Sequence, residues 1–503
     1  MTAPPPPATG RNILFVIDSV DFVDNFGIAH LSAVAKQQHW QTFLTVYDSR
    51  TVDSVMTAVQ PVFVCYSAMS SNADVYLQIN RRLKSRFRFL SLMGGPHPTF
   101  FPEVIEEEGL DFICRGEGEL AFAEFLRRFR AGEDYESTPN FSSKTKKNEL
   151  GPLIARLDDL PLPDRGIIYD STELGGALLK TFMSSRGCPY DCTYCHNSAF
   201  KEQYKGKGVV YRTHSPQRIV EEIKQVRARY PIHFIKFEDD MFAARKRWLE
   251  EFAPLYRREI NIPFNCLQRL EYVTEERVAL IKEAGGASIT ASIESANPRI
   301  REEILNRGMR FGNEEIRDRL RIVKRVGLGV YTSTILALPT STLKDEYDGI
   351  RLNADSGVDF AGATILAPFA RTPIWFYCRE HHLLPEKADE AMLSVQARSL
   401  LTCFSEKEKD IQWNLSVFYP AMVKFAWLRP LLLWLARHTR PSRLYSLFHV
   451  LSKGYLFSRY IFHFKGCWGI KIRMLLKALH IEGPRMWGVK RSDAVCDDLP
   501  SPG

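Results

Sequence analysis

The stretch Ser185-Arg-Gly-Cys188-Pro-Tyr-Asp-Cys192-Thr-Tyr-Cys195-His196 sets three cysteines at C-x3-C-x2-C spacing, directly after the apolar run from Ala177 to Met183. Three thiolates on one short loop can each take one iron of a cubic [4Fe–4S] cluster, because soft thiolate is the preferred ligand of such clusters. The loop offers no fourth cysteine, so one iron would stay open to a substrate or cofactor. Structural zinc is the competing arrangement, with the adjacent His196 as fourth ligand. Zinc modules usually divide their ligands into two pairs on separate turns, and no second pair occurs here. The spacing therefore predicts a cluster with a vacant iron.

The elements that must position this loop alternate between strand and helix. Apolar runs at Ile232–Phe237, Ile262–Leu267, Ala287–Ile293, Gly329–Leu336 and Ala363–Ala367, with Leu178–Met183 ahead of the loop, predict six strands. Active groups on barrels of parallel strands sit at the carboxyl ends. Polar residues fall at those ends: Glu238-Asp239-Asp240, Arg269, and Glu294-Ser295. An aspartate there can also serve as a helix N-cap, whereas a carboxylate buried at a strand end, such as Glu294, needs a partner. Ahead of the cysteines, Asn12–Ile17, Pro61–Tyr66, Phe89–Met93 and Asp111–Cys114 read as strands, with helical patterns over Gly27–Gln37 and Asn72–Arg86. Short, fully apolar strands separated by helices indicate a parallel sheet covered on both faces. Ligands of such sheets bind beyond the strands' carboxyl ends, where Gly94-Gly95 and Arg115–Glu119 fall. The expected fold class is α/β: a disordered leader (1–10), a doubly wound parallel sheet (11–135), a linker (136–176) with prolines at 161 and 163 that forbid regular helix, a partial (β/α)6 barrel of the TIM type (177–385) and a mostly helical C-terminal region (386–503).

The cysteine spacing, with the aromatic Tyr194 just before the last cysteine, resembles the signature of the radical S-adenosylmethionine (SAM) superfamily. The resemblance implies Cys188, Cys192 and Cys195 as cluster ligands, SAM chelated at the open iron, and Tyr194 against the adenine. An electron from the cluster would cleave SAM to a 5′-deoxyadenosyl radical that abstracts hydrogen. By the same resemblance Asp239 or Asp240 accepts from the SAM amino group, Arg269 pairs with its carboxylate, and Glu294 and Ser295 contact the ribose. The segments Gly94-Gly-Pro-His-Pro-Thr99, Gly109–Glu119 and Phe26–Ala33 look like the cobalamin-binding domain that precedes the radical domain in one large branch, the class B-type methylases and their relatives. This implies Ser67, Gly94, Gly95, His97 and Glu117 against cobalamin. The Asp-x-His-x-x-Gly element that supplies an axial histidine elsewhere is absent, as in many members of the branch, and His30 and His97 read as packing or loop histidines rather than cobalt ligands. Two further departures stand out. Ala337 and Ser341 replace a glycine and an acidic residue of the family's Gly-Leu-Pro-Gly-Glu-Thr segment, and Ala370 and Arg371 depart from its Pro-x-Pro-Gly-Thr segment. The resemblance spans residues 12–385.

A chain of 503 residues can bury two or three cores. Ten cysteines, sparse and irregularly placed, do not read as a disulfide framework, and a cluster needs a reducing compartment, so the cytoplasm is expected. The start, Met1-Thr-Ala-Pro-Pro-Pro-Pro, lacks the basic and apolar regions of a signal peptide, and no apolar run is long enough to span a bilayer. From Ala421 to Arg491 fourteen Lys or Arg accompany one acid, Glu482, which accounts for the net charge of +8. Aromatics are interleaved, and Leu428–Arg437 reads as a short apolar helix with arginines near its ends. A helical cap with a solvated basic face explains this most simply. Peripheral contact with the inner membrane face comes next, and nucleic acid last.

The resemblance makes the leading expectation a cobalamin-dependent enzyme that methylates an unactivated carbon of a hydrophobic small molecule, such as a terpenoid, tetrapyrrole or other secondary metabolite. One SAM would methylate cob(I)alamin, a second would yield the radical, and the substrate radical would take the methyl group. An electron donor of the flavodoxin or ferredoxin type is implied. Cyclisation or oxidation without methyl transfer is the alternative. Methylthiolation of transfer RNA stands third, because the N-terminal half offers only Cys65 and Cys114, too few for that family's second cluster. A structural zinc protein comes last.

Overall fold

A computed structural model describes residues 10–21, 23–386 and 398–462. The leader through residue 9 and the end of the basic region, with Phe464 and Glu482, lie outside the described residues. The N-terminal sheet contains β1 (Asn12–Ile17), β2 (Gln41–Val46), β3 (Phe63–Ser67), β4 (Leu90–Gly94), β5 (Phe112–Cys114) and β6 (Phe141–Ser142) in the order β2-β1-β3-β4-β5-β6. The first five strands run parallel and β6 pairs antiparallel. Strand β1 shows why its residues are all apolar: Ile13, Phe15 and Ile17 enter one core and Leu14 and Val16 another, on opposite faces. The chain winds in opposite directions from β1 and β3, so a crevice opens at their carboxyl ends. The sequence reading had no strand at β2. Its Gln41-Thr-Phe-Leu-Thr-Val is half exposed at the sheet edge and lacks an unbroken apolar run.

The second sheet follows with β7 (Leu179–Phe182), the short β8 (Ser185–Arg186) and β9 (Arg212–Thr213), then β10 (Phe234–Phe237), β11 (Phe264–Leu267), β12 (Gly286–Glu294), β13 (Gly329–Leu336) and β14 (Phe360–Ile365). Six strands pair in parallel as β14-β13-β12-β11-β10-β7, an open barrel with two edges. All six lie where apolar runs were read. Strands β8 and β9 pair antiparallel and pin both ends of the cysteine loop.

The stretch 136–176 is more than a tether. Thr138, Phe141, Leu157, Leu160 and Ile168 are buried in it, and Phe141 stacks on Phe125 with ring centroids 4.3 Å apart. Its Arg165 fastens the two sheets together. The guanidinium donates to Glu222 (2.7 and 3.0 Å), to Asp24 (3.1 Å) and to the Thr181 carbonyl (3.1 Å), and packs between the rings of Phe26 and Phe182. Asp24, on the loop after β1, also accepts from Tyr169 Oη (2.8 Å) and from Thr181 Oγ1 of β7 (2.8 Å). A buried charge set of this kind is tolerated because every member is paired.

In the C-terminal region, the helix Glu406–Lys424 is buried from Ile411 to Val423 and lies on β14, and the helices Arg429–His438 and Arg443–Leu456 pack on it. No helix of the described residues is long and apolar enough to cross a membrane.

Candidate active site

The cysteine loop is clamped from two sides. Thr193 donates through its N–H to the Leu305 carbonyl (3.0 Å) and through Oγ1 to that of Ile304 (2.6 Å), and its own carbonyl accepts from Ile374 N (3.0 Å). Cys192 is buried, Cys188 and Cys195 half-buried, and the helix His196–Gln203 starts at Cys195. That helix end turns positive dipole toward the sulfurs. Two buried arginines add charge: Arg269 Nη1 lies 3.5 Å and Arg307 Nη1 3.8 Å from Cys192 Sγ. Burial pushes the Cys195 thiol up to about 11 and Cys188 upward, so the thiolate forms depend on nearby cations and bound iron. No three His, Cys, Asp or Glu among the described residues are placed to hold one metal ion. The ring of His196 sits instead between Phe100 (4.8 Å) and Phe369 (5.1 Å). The donor set thus suits ligands for separate irons better than a Cys3His zinc site.

Beside the loop, Glu294 ends β12 with φ of +67°, a left-handed conformation that a bulky residue rarely adopts. Its carboxylate is buried, accepts from Tyr194 Oη at 2.8 Å, and is pushed upward by burial with Arg307 opposing. Ser295 is buried next to it and caps Asn297 N (3.2 Å). Arg269, expected on a SAM carboxylate, lies on the ring of Tyr190 (3.5 Å) and pairs with Glu271 (2.5 Å), besides reaching Cys192 and the Arg307 carbonyl. The structure separates the two aspartates. Asp239 is buried and accepts from Ser184 N (3.0 Å), Ser184 Oγ (2.7 Å) and Ser185 Oγ, which ties β10 to the strand leading into the cysteines. Burial pushes its carboxyl up to about 6. Asp240 lies outward at the same loop, partnered by Asn197 of the cysteine helix.

The two departures from the family's glycines keep a glycine-like backbone, with φ of +55° at Ala337 and +68° at Arg371. Ala337 N donates to the buried Glu346 (2.9 Å). Arg371 crosses to the N-terminal domain, where it donates to the Phe100 carbonyl, pairs with Glu103 (2.5 Å) and covers the Phe101 ring.

A cavity of about 290 Å³ opens at the carboxyl ends of β1, β3, β4 and β5. Ser67, Gly94, Gly95 and Glu117 line it from the N-terminal domain, and Met183, Arg186 and His214 from the barrel. Gly95, with φ of +99°, brings its backbone so close to Ala68 that a Cβ would fall 2.8 Å from the carbonyl oxygen. Glu117 is held by Arg212 (2.6 and 2.8 Å) and accepts from Ile154 N (3.1 Å). His30 lines the cavity with a buried Nδ1 that has no hydrogen-bond partner, and burial holds its ring neutral. His97 does not line the cavity. It hydrogen-bonds Ser70 (3.1 Å) and stacks on Phe101. A glycine-floored, largely apolar crevice with one unsatisfied imidazole fits a bulky flat ligand such as cobalamin. Cys65 and Cys114 also border it, and burial pushes Cys114 up to about 12, which keeps its thiol neutral.

The cluster loop reaches this crevice. Tyr204, just past the cysteine helix, accepts from Glu117 N (3.2 Å), and Gln203 donates to the Thr99 carbonyl (3.3 Å). Sequence reasoning missed Arg186, His214, Tyr204 and Arg307. Arg186 could have been flagged by standing two residues before Cys188, but the other three carry no local signal.

Comparison with known proteins agrees with this layout. The sequence model described as Radical SAM superfamily matches residues 182–349, and that of the B12 binding domain matches residues 14–126. An uncharacterized methyltransferase of Pyrococcus horikoshii is 27% identical over 71% of this chain and 79% of its own. An anaerobic magnesium-protoporphyrin IX monomethyl ester cyclase of Rubrivivax gelatinosus is 22% identical over 62% of this chain and 58% of its own. Among solved structures, a radical S-adenosylmethionine methyltransferase from Kitasatospora setae with cobalamin and a [4Fe–4S] cluster bound superposes with a TM-score of 0.65 at 12% identity, covering 94% of this chain and 100% of that one. At that identity the likeness speaks to the fold.

Proposed function

Given that the chain belongs to the radical SAM superfamily, in the branch that carries a B12-binding domain, we propose that it methylates an unactivated carbon of a hydrophobic small molecule, of the terpenoid, tetrapyrrole or secondary-metabolite kind. Its cofactors are a [4Fe–4S] cluster, SAM and cobalamin, which when bound supply a hydrogen-abstracting radical and a methyl donor. Cys188, Cys192 and Cys195 would hold the cluster, with Arg269 and Arg307 offsetting thiolate charge. Tyr194, Glu294, Ser295 and Asp240 would border SAM, while Asp239 holds the strand ends in register. Ser67, Gly94, Gly95 and Glu117 would border cobalamin, with His97 behind them.

One observation carries this reading. The crevice of the B12-binding domain is closed on its far side by Met183, Arg186 and His214 of the radical domain, and the cysteine helix docks on its rim through Tyr204. Two cofactors that share a substrate need facing sites of this kind. Cyclisation without methyl transfer remains the second reading, favoured by the similarity to the Rubrivivax cyclase. Methylthiolation of transfer RNA gains no support, since Cys65 and Cys114 are buried thiols that burial pushes upward.

Anaerobic purification with cobalamin supplied, followed by iron, sulfide and cobalt quantitation, is the first test. One cluster without cobalt overturns the N-terminal assignment. Turnover with methyl-deuterated SAM, a flavodoxin or ferredoxin reductant and a hydrophobic metabolite extract is the second. A product that gains one labelled methyl group supports methylation, whereas loss of hydrogen or gain of oxygen selects the cyclase or oxidase reading.

A further inference from the structure

The C-terminal helices turn leucines outward. In the helix Arg443–Leu456 the residues facing the protein are Ser446, His449, Val450 and Leu456, with His449 hydrogen-bonded through Nδ1 to the Val417 carbonyl at 2.8 Å. Leu444, Leu447, Leu451 and Tyr455, at spacings of three, four and four residues, face away from it, with Leu444 73% and Tyr455 55% exposed. A helix facing water would carry polar residues on that outer face. The helix Arg429–His438 does the same with Leu431 and Trp434, respectively 53% and 55% exposed. Of thirteen exposed large apolar side chains among the described residues, seven fall between Trp427 and Tyr455, whereas the other six are scattered from Val23 to Phe376. Scattered apolar residues are ordinary on a protein surface, and a concentrated set marks an interaction site.

Charge narrows the partner. Residues 411–481 contain eleven Lys or Arg and no Asp or Glu. Arg440 stands in the link between the two helices and Arg443 opens the second, and no carboxylate among the described residues pairs with either. Apolar stripes beside unpaired guanidiniums match a surface that is apolar beneath and anionic at its face. We propose that the outward faces of the helices Arg429–His438 and Arg443–Leu456 dock the protein onto an anionic lipid bilayer, lying in its interface rather than crossing it. The proposal deepens the reading of a hydrophobic substrate by stating where the enzyme would meet it. It can fail in a vesicle assay while the product-mass assay stands.

The test is flotation of the full-length holoenzyme with vesicles of phosphatidylglycerol and phosphatidylcholine, against phosphatidylcholine alone. The wild-type protein should float with the anionic vesicles, and the bound fraction should fall as salt is raised. The pair Leu447→Glu and Leu451→Glu should lower partitioning more than tenfold with an unchanged thermal midpoint, since both side chains already face outward. The pair Arg440→Glu and Arg443→Glu should lower it by a similar factor and remove most of the salt dependence. Absence of wild-type flotation overturns the proposal, as does undiminished flotation of the leucine pair. So does light scattering that shows a dimer which the leucine pair converts to monomer, because the face would then be covered by a second copy.

Discussion

Gly116→Ala tests the contact that joins the two cofactor domains. Gly116 has φ of +68°, and a Cβ placed on it falls 1.7 Å from Tyr204 Oη and 2.7 Å from Cζ. An L-residue in the left-handed region costs about 1–2 kcal/mol by itself. The larger effect is steric: Tyr204, only 1% exposed, must leave its slot beside Leu150 and Leu153. Displacing a buried aromatic ring forfeits about 2–3 kcal/mol of apolar burial, and the Glu117 N–H loses its acceptor for about 1 kcal/mol more. The substitution should therefore destabilise by about 4–6 kcal/mol. It should also lower iron and cobalt content together, because Tyr204 follows the helix that begins at Cys195. A double-mutant cycle isolates the clash. In a Tyr204→Ala background the alanine at 116 has nothing to strike, and its cost should shrink to the backbone share of about 1–2 kcal/mol. Urea unfolding of the four proteins, with metal analysis of each, measures both effects. If the two substitutions prove additive to within about 0.5 kcal/mol, the domains are not joined through this contact and the reasoning fails.

Three other outcomes are expected. Glu346 is buried and raised from 4.5 to about 7 by burial, with Ala337 N and Gln412 as partners and one oxygen unpaired; a carboxyl raised on folding contributes its stability fully below 4.5 and loses it as pH rises through about 7, here about 3 kcal/mol, so Glu346→Gln should leave the melting temperature unchanged at pH 5 and raise it at pH 8.5, and an equal shift at both would refute the cause. Asp24→Ala should destabilise by about 3–5 kcal/mol, because the Arg165 guanidinium loses one of two carboxylates in a buried set, and chemical denaturation reads it. Replacement of Cys188, Cys192 or Cys195 by alanine, one at a time, should abolish cluster iron and sulfide while cobalt content persists, since the crevice proposed for cobalamin does not include these residues.

What the sequence disclosed follows from how each feature is built. The cysteine loop, the Gly94-Gly95 turn and the six apolar strands of the second sheet are contiguous, so a local reading reached them. Strand β2 escaped because an edge strand keeps polar residues on its open side. The stretch 136–176 looked like a linker because prolines break its helices, yet its isolated apolar residues are buried. Asp239 and Asp240 are neighbours of one type, and only packing shows that the first is consumed by Ser184 and Ser185. Arg307 stands in a loop without periodicity, and its approach to Cys192 arises from the path of the chain after β12. Ala337 and Arg371 read in the sequence only as departures from the family's segments, and the structure gives both a left-handed backbone and pairs Arg371 with Glu103.

That last residue bears on how such an enzyme keeps its chemistry in register. Each cofactor site is carried by its own motif, but nothing within either motif sets the distance between them. The contacts that do are single residues from separate segments: Asp24 with Arg165 and Thr181, Tyr204 against Gly116, and Arg371 on Phe100 and Glu103. A methyl group can pass to a short-lived substrate radical only if donor and radical are held within reach, and a displacement of about 1 Å can cost a hundredfold in rate. On the proposed function, then, seam substitutions that add no clash of the Gly116→Ala kind, such as Arg371→Ala, should alter what the enzyme makes before they alter what it binds. A variant loosened there can retain iron, sulfide and cobalt and still turn SAM into 5′-deoxyadenosine with little methylated product, the substrate radical being returned to substrate by an electron from the reductant and a proton.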